Sequence, residues 1–362
     1  MQLIFGIIMG LIILVFLVVM HELGHAIQAY KSGVVVEEFG VGFPPMALKK
    51  KLKNGILLTL NWLPLGGFVK LQGEYDSADE KGDYGSVSFW KKTKILLAGV
   101  TINWVVAAVL LTVLSLTGLP KILDNQITVP GDAVITVKPV EITSLVDNYP
   151  AKKAGLKVGD SITKFAGQAA TTTDRLNELI KQNAGKTVVL SYIRNDLKHD
   201  VNITLGEKTI DGILGAGLGQ REFIKATWSA PIVGVATTAQ FSWETIKSLG
   251  DLFSDISSSG LKKVGESVAG PIGILGTIFP AATQAGPTQL IFLTAIISIS
   301  LAIMNILPIP SLDGGRWFTM VAFKILKKKL TKEREEKIQT VGFLILMALV
   351  ILVTFNDITK LF

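Results

Sequence analysis

The chain contains no cysteine. That excludes structural disulfides and thiolate metal ligands, and leaves His and carboxylates as the side chains able to hold a metal. Charge is scarce as well: 18% of the 362 residues are Asp, Glu, Lys or Arg, below the roughly 25% of soluble domains. Histidine occurs three times. No charged side chain precedes Glu22, so the basic start of a secretory signal is missing, and no small-residue cleavage site follows the first apolar run. The sequence therefore predicts that this run stays in the mature protein.

What is abundant is apolar. Hydrophobic residues make up 49% and mean hydropathy is +0.48. Runs long enough to cross a bilayer, roughly 17 to 25 residues, lie near Leu3 to Tyr30, Ile95 to Leu116 and Leu290 to Leu307, with a shorter one from Val341 to Val353. A polar stretch rich in Thr, Val, Gly and Asp separates the second from the third and is long enough for a domain of its own. The expected fold is a polytopic α-helical membrane protein with four spans and one inserted domain. The expected divisions are 1–117, 127–220, 221–287 and 288–362.

Net charge is +7, but nucleic acid is not the expected partner, because the basic residues sit in short loops beside the spans. Ten Lys and Arg fall in 31–94, eight in 316–339 and seventeen in the much longer 118–287. The positive-inside rule makes the two short loops cytoplasmic. Both termini and the inserted domain are then expected on the extracytoplasmic side.

Within the first run stands His21-Glu22-Leu23-Gly24-His25. On a helix the two His share one face, able to reach one ion, with Glu22 beside it to activate a water. An alternative is a set of polar residues satisfied inside a helix bundle, but ionisable groups in a span are costly and point to function. At 1.5 Å per residue, His21 lies about 30 Å from the N-terminus, near the cytoplasmic edge of the hydrocarbon. Catalytic zinc takes three protein ligands. The candidate for the third is Asp313, after the third span in Asn305-Ile306-Leu307-Pro308-Ile309-Pro310-Ser311-Leu312-Asp313-Gly314. By itself Asp313 also reads as a turn residue.

These two motifs match HExxH and NxxPxPxLDG at every fixed position, and on them the chain resembles the site-2 protease family (M50), in particular its bacterial regulator of sigma-E protease branch with one PDZ domain. Pro64-Leu65-Gly66-Gly67-Phe68-Val69-Lys70 resembles the family's membrane-associated β-hairpin. Ala98-Gly99-Val100-Thr101-Ile102-Asn103 resembles its AGPxxN segment, with Val100 in place of Pro, and Gly270-Pro271-Ile272-Gly273 resembles a segment before the third span. The resemblance implies zinc held by His21, His25 and Asp313, Glu22 as general base and acid, and Asn305 at the substrate or its developing oxyanion. Substrate contacts are expected at Gly66, Gly67, Phe68, Pro308 and Pro310, with the hairpin pairing with an unwound substrate strand; bracing the active site is the alternative for it. The implied substrates are single-pass membrane proteins such as anti-sigma factors or signal-peptide remnants, met in the lipid of the bacterial cytoplasmic membrane.

Tyr149 to Ile162 resembles a PDZ domain, with a helix expected at Thr173 to Gln182, strands near Ala133 to Val140, Thr187 to Ile193 and His199 to Leu205, and a peptide-binding edge at Ile213 to Gly219. Such domains add extended peptides to a sheet edge; a spacer without ligand is the alternative. Trp228, Phe241, Trp243, Ile246, Leu249 and Phe253 recur at near-helical spacing and predict a helix on the outer membrane surface or docked on the inserted domain. Two other classes are weighed: a catalytically silent membrane scaffold binding peptide tails, which the intact HExxH and Asp313 argue against, and a metal transporter, which predicts charges along the other spans where the sequence shows none.

Overall fold

The structure is a computed structural model that describes residues 2–207, 214–259 and 270–361. In chain order the elements are α1 (Gln2–Ser32), β1 (Val36–Lys51), β2 (Leu57–Leu71), α2 (Phe89–Thr117), β3 (Leu119–Lys121), β4 (Val134–Val137), β5 (Val140–Leu145), α3 (Pro150–Lys153), β6 (Ser161–Phe165), β7 (Gln168–Ala169), α4 (Thr173–Gln182), β8 (Thr187–Arg194), β9 (Leu197–Thr204), β10 (Ala216–Gly219), β11 (Glu222–Lys225), α5 (Ala230–Ser259), α6 (Pro271–Gly273), a π-helical turn (Ile274–Ile278), α7 (Phe279–Gln284), α8 (Pro287–Ile306), α9 (Asp313–Ile325) and α10 (Lys332–Leu361). They fall into two compact units, one of residues 1–116 and 228–362, the other Thr117–Thr227.

In the first unit α1, α2, α8 and α10 are long and apolar enough to cross a membrane. The fourth is longer than its apolar run, because the charged residues from Lys332 onward continue the same helix. Helices in lipid associate through close packing rather than hydrophobic exclusion, so small residues line their contacts. The buried face of α1 follows that rule with Gly6, Gly10, Gly24 and Ala29 around Leu17 and the two His. A Cβ on Gly6 would meet Pro280, one on Gly10 would meet Phe279 at 2.6 Å, and one on Gly24 would meet the Ala98 carbonyl at 2.6 Å. The π turn and α7 therefore seat against the first half of α1, and α2 against the second. Asp357, on α10, accepts from the backbone N–H groups of Gly270 (3.0 Å) and Gly273 (2.7 Å) and so clamps the start of this π-helical segment.

β1 and β2 each bend midway. Their pairing is antiparallel from Val36↔Leu71 to Val41↔Gly67 and from Met46↔Asn61 to Lys51↔Leu57, whereas Glu38↔Leu57 to Val41↔Leu60 advances in one direction on both strands. The expected hairpin is thus a small four-stranded sheet in the order 67–71, 36–41, 57–60, 46–51. Segments 67–71 and 46–51 are its edges.

α5 is not the uniform surface stripe expected from Trp228 to Phe253. Its first half packs on the spans: Phe241 stacks edge-on with Phe292 of α8, the Trp104 indole N–H of α2 donates to Ser242 Oγ at 3.2 Å, and Val233, Thr237 and Thr238 are buried. Trp228, Trp243 and Ile246 point outward; the Phe253 side chain lies outside the described residues. The period is helical because one face packs on α2 and α8 while large apolar residues occupy another.

The second unit is wider than the expected 127–220, because β3 and β11, either side of that range, pair with each other and β11 with β4. Its main sheet runs β10-β5-β6-β8-β9, with β7 on β6. Val140, Ile142, Ile162, Phe165, Leu176, Leu179 and Leu190 are almost fully buried between this sheet and α3 and α4, each contributing about 1.5–3 kcal/mol. The Thr172 hydroxyl caps α4 by accepting from the Arg175 N–H at 3.1 Å. Buried Asp160 accepts two guanidinium N–H bonds from Arg194, at 2.7 and 2.6 Å. Of the segment Ile213 to Gly219, 216–219 form β10, the edge strand of this sheet among the described residues; Ile213 lies outside them.

Candidate metal centre

His21 and His25, one turn apart on α1, turn inward and are buried. Asp313 reaches them from the start of α9. α8 stops at Ile306 because Leu307 precedes Pro308 and must be extended. The chain turns back through Ser311, whose N–H donates to Gln339 Oε1 at 2.5 Å, and α9 opens on Asp313, where a carboxylate also suits the helix dipole. His21 Nε2 and His25 Nε2 lie 3.0 and 3.2 Å from Asp313 Oδ2 and 3.1 Å from each other. Four-coordinate zinc with bonds of about 2.0–2.1 Å has ligand atoms about 3.3 Å apart, so three converging lone pairs at this spacing fit such an ion. Asp313 Oδ2 is also buried without a hydrogen bond of good geometry, which is costly unless something else satisfies it.

The outer nitrogens are tied down in a manner that favours this. His25 Nδ1 sits 2.7 Å from the Ile95 carbonyl, an acceptor, so Nδ1 carries the proton and Nε2 is left as a lone pair. His21 Nδ1 faces the amide of Asn103 at 3.4 Å, while Asn103 Oδ1 is buried with no partner. Turning the amide oxygen toward His21 satisfies both groups and frees His21 Nε2 likewise. Asn103 is 0% exposed, and its own carbonyl accepts from Ser298 Oγ of α8 at 2.8 Å.

Gly99, one turn before Asn103 on the same face of α2, makes room for the site. A Cβ there would stand 2.6 and 2.7 Å from His21 Cε1 and Nε2, and closer still to His25 Nε2. Burial pushes the Asp313 carboxyl up, but the imidazoles against it outweigh that and hold it well below the usual carboxylate range.

Glu22 faces the edge strand 67–71: its carboxylate lies toward the Val69 backbone N–H, and a Cβ on Gly67 would stand 3.5 Å from Glu22 Cγ. Gly66, with φ of +147°, holds a conformation that side chains avoid, under the Phe43 ring. Phe68 packs across Gly40. The remaining expected residues stand apart. The Asn305 amide donates to the Leu301 carbonyl one turn back, at 3.0 Å, and Pro310 is wedged against Gly342 of α10. Pro308 is exposed in the same turn.

Ile95, Val69, Gly99 and Asn103 escaped the sequence reading as parts of the site. For Gly99 and Asn103 a signal existed: they are four residues apart in the Ala98–Asn103 segment, hence on one helix face, and a buried Asn in an apolar span needs a partner. The other two act through backbone atoms, which carry no residue signature.

The family model described as Peptidase family M50 matches residues 9–349. The zinc metalloprotease RasP of Bacillus licheniformis is 26% identical over 432 aligned positions, covering 96% of this chain and 97% of that protein. The RasP of Geobacillus kaustophilus is 26% identical, covering 96% of each. A Clostridium perfringens protein is 30% identical over 346 residues, 94% of this chain and 95% of its own length. Among solved structures, the PDZ domain of an SdrC-like protein of Listeria monocytogenes is 26% identical with a TM-score of 0.20, covering 25% of this chain and 93% of that domain.

Proposed function

The chain belongs to peptidase family M50 and is a zinc metalloprotease of the site-2 type; from that premise we propose that it hydrolyses a peptide bond within the membrane-spanning segment of single-pass proteins. The observation that carries this reading is the convergence of His21 Nε2, His25 Nε2 and Asp313 Oδ2 within 3.0–3.2 Å of one another, beside Glu22 and within a bundle of helices long enough to cross a bilayer.

His21, His25 and Asp313 would hold the zinc, which would supply Lewis acidity and make a water at the site more acidic. Glu22, beside them, is placed to take a proton from the attacking water and return it to the departing amine. The 67–71 edge pairs with the substrate as an added strand: a helical segment must unwind to be cut, and the backbone groups on the free side of this edge recognise an extended chain of any sequence. The Val69 N–H then exchanges Glu22 for substrate as Glu22 turns to the water. Asn305 acts at the oxyanion once its amide swings from Leu301.

The membrane is the bacterial cytoplasmic membrane, with the metal toward the cytoplasm. The unit 117–227 is a PDZ domain on the outer side that admits substrates already trimmed, anti-sigma factors and signal-peptide remnants among them. In support, α2 runs 22 residues beyond Ile95 before the chain enters that unit, about 33 Å at 1.5 Å per residue, so its two ends suit opposite faces of a bilayer.

The test is purified full-length protein with a labelled model transmembrane substrate. Glu22→Gln is expected to lower the cleavage rate by about 10²–10⁴-fold while retaining zinc. Cleavage at the wild-type rate by this variant would overturn the mechanism.

A further inference from the structure

The basic run Lys327-Lys328-Lys329 does more than set orientation. Beside α9 lies an open pocket of about 550 Å³ in which Lys92, Lys324, Lys328 and Lys329 stand around Phe89 and Met320. Asp76 also lines it, but is already engaged by the buried Lys92, Nζ to Oδ1 at 2.5 Å. Lys324 lies over the Phe89 ring, 3.6 Å from its centroid, and among the described residues the amines of Lys324, Lys328 and Lys329 show no acidic partner. Three cations are thus gathered without a counter-charge around an apolar floor, with the Ser77 side chain at the rim.

The neighbours in sequence of these lining residues are large, apolar and exposed: Trp90 is 71% exposed, Ile325 73% and Leu326 61%. The pocket lies beside the first turn of α2 and the last turn of α9, which in the orientation proposed above is the level at which a bilayer passes from headgroup to hydrocarbon. Basic pockets between membrane helices match lipid phosphates, and exposed Trp and aliphatic side chains at that level match the acyl chains beneath.

We propose that this pocket is a binding site for the phosphate headgroup of an anionic phospholipid. Lys324, Lys328 and Lys329 contact the phosphodiester, and Trp90, Ile325 and Leu326 contact the glycerol and upper acyl carbons. A zwitterionic lipid carries its own cation and leaves this site over-charged, so the selectivity is for net negative headgroups. The site rests on the same helix that Asp313 opens, but does not depend on the proteolytic reading.

The experiment uses the full chain in nanodiscs or mixed micelles, with retained lipid counted by native mass spectrometry and affinity read by titration with phosphatidylglycerol or phosphatidylcholine of identical chains. Wild type is expected to retain phosphatidylglycerol in preference to phosphatidylcholine. The triple variant K324Q/K328Q/K329Q is expected to lose on the order of 100-fold of that preference, about five-fold per amine at low salt. Arginine at the same three positions restores it, and K49Q/K50Q/K51Q, which removes equal charge elsewhere, leaves it intact.

Equal retention by the triple variant overturns the proposal, as does equal loss in the control. Inorganic phosphate is the other source of this chemistry. If phosphate alone binds as tightly and the lipid adds nothing, the lipid assignment falls.

Discussion

At the scale of single residues, the centre is defined by what surrounds its ligands as much as by the ligands. Gly99 is placed so that a methyl group would fall on both imidazoles, and these cannot yield because α1 and α2 are already in backbone contact at Gly24 and Ala98. Gly99→Ala is therefore expected to abolish zinc retention in a protein that still inserts and purifies, which metal analysis of the purified variant checks; a full zinc complement would show that α2 shifts freely. Asn103 acts more gently. Removing its hydrogen bond to His21 releases the ring without removing a ligand, and loss of such outer partners typically costs 10–100-fold in metal affinity. Asn103→Leu should weaken zinc binding by about that factor in competition with a chromogenic chelator, and an unchanged affinity would sink the role. The convergence of the three groups was legible in the sequence, because HExxH spacing on a helix places His21 and His25 on one face and Asp313 is the candidate that the second motif supplies. Asn305 was less legible: its amide is spent on Leu301, as Asn side chains near helix ends commonly are.

At the scale of elements, the sheet made by β1 and β2 and the clamp made by Asp357 show what pattern reading could and could not reach. Alternation and the Gly66-Gly67 pair indicated strands beside the site, but not that each strand bends and pairs twice, since that register depends on contacts between 36–41 and 57–60 rather than on either segment alone. The consequence is an edge whose pairing groups face Glu22. Proline at position 69 removes the amide that now meets Glu22, and a proline on a pairing edge deletes one ladder bond. Val69→Pro is expected to raise KM for a membrane substrate while zinc content stays at wild type; unaltered kinetics would remove this edge from substrate recognition. Asp357 was not singled out from the sequence, being one carboxylate near the end of the last span. In the structure it is 4% exposed and takes two backbone N–H groups. Hydrogen bonds to a charged acceptor contribute about 1.5–3 kcal/mol each, so Asp357→Leu should lower the thermal midpoint markedly, whereas Asp357→Asn, which keeps one acceptor oxygen, should lower it less. Equal midpoints for the two variants would mean that the carboxylate does not clamp this turn.

At the scale of the whole molecule, the apolar helices, the inserted unit and the meeting of His21, His25 and Asp313 were readable because each obeys a one-dimensional rule: run length, composition, spacing. The limits of the inserted unit were not, because β3 and β11 are short strands stabilised by pairing across about a hundred residues of chain. The packing of α5 was hidden for a related reason: its period is helical in the sequence, whereas the partner of its buried face, α2 and α8, exists only in three dimensions. A global property follows from the ligand set. Held by His21, His25 and Asp313 as proposed, zinc would join α1 to α9 and bind the folded state alone, and so would stabilise by an amount that grows with its concentration, about 2.7 kcal/mol at a hundred times Kd. Chelation should lower the thermal midpoint of the purified protein and added zinc should restore it, as followed by light scattering or intrinsic fluorescence. A midpoint indifferent to chelator would mean that the two helices do not share an ion.

The distance in sequence between His25 and Asp313 also has a meaning in time. A ribosome delivers the first span with its two histidines and Glu22 long before Asp313 exists, 288 residues after His25. Until then the nascent chain carries an incomplete set of the three converging groups at the membrane, where unfolded spans of other proteins are exposed as they insert. The later segment thus arms the earlier one, and a chain truncated before α9 is expected to display HExxH yet cut nothing.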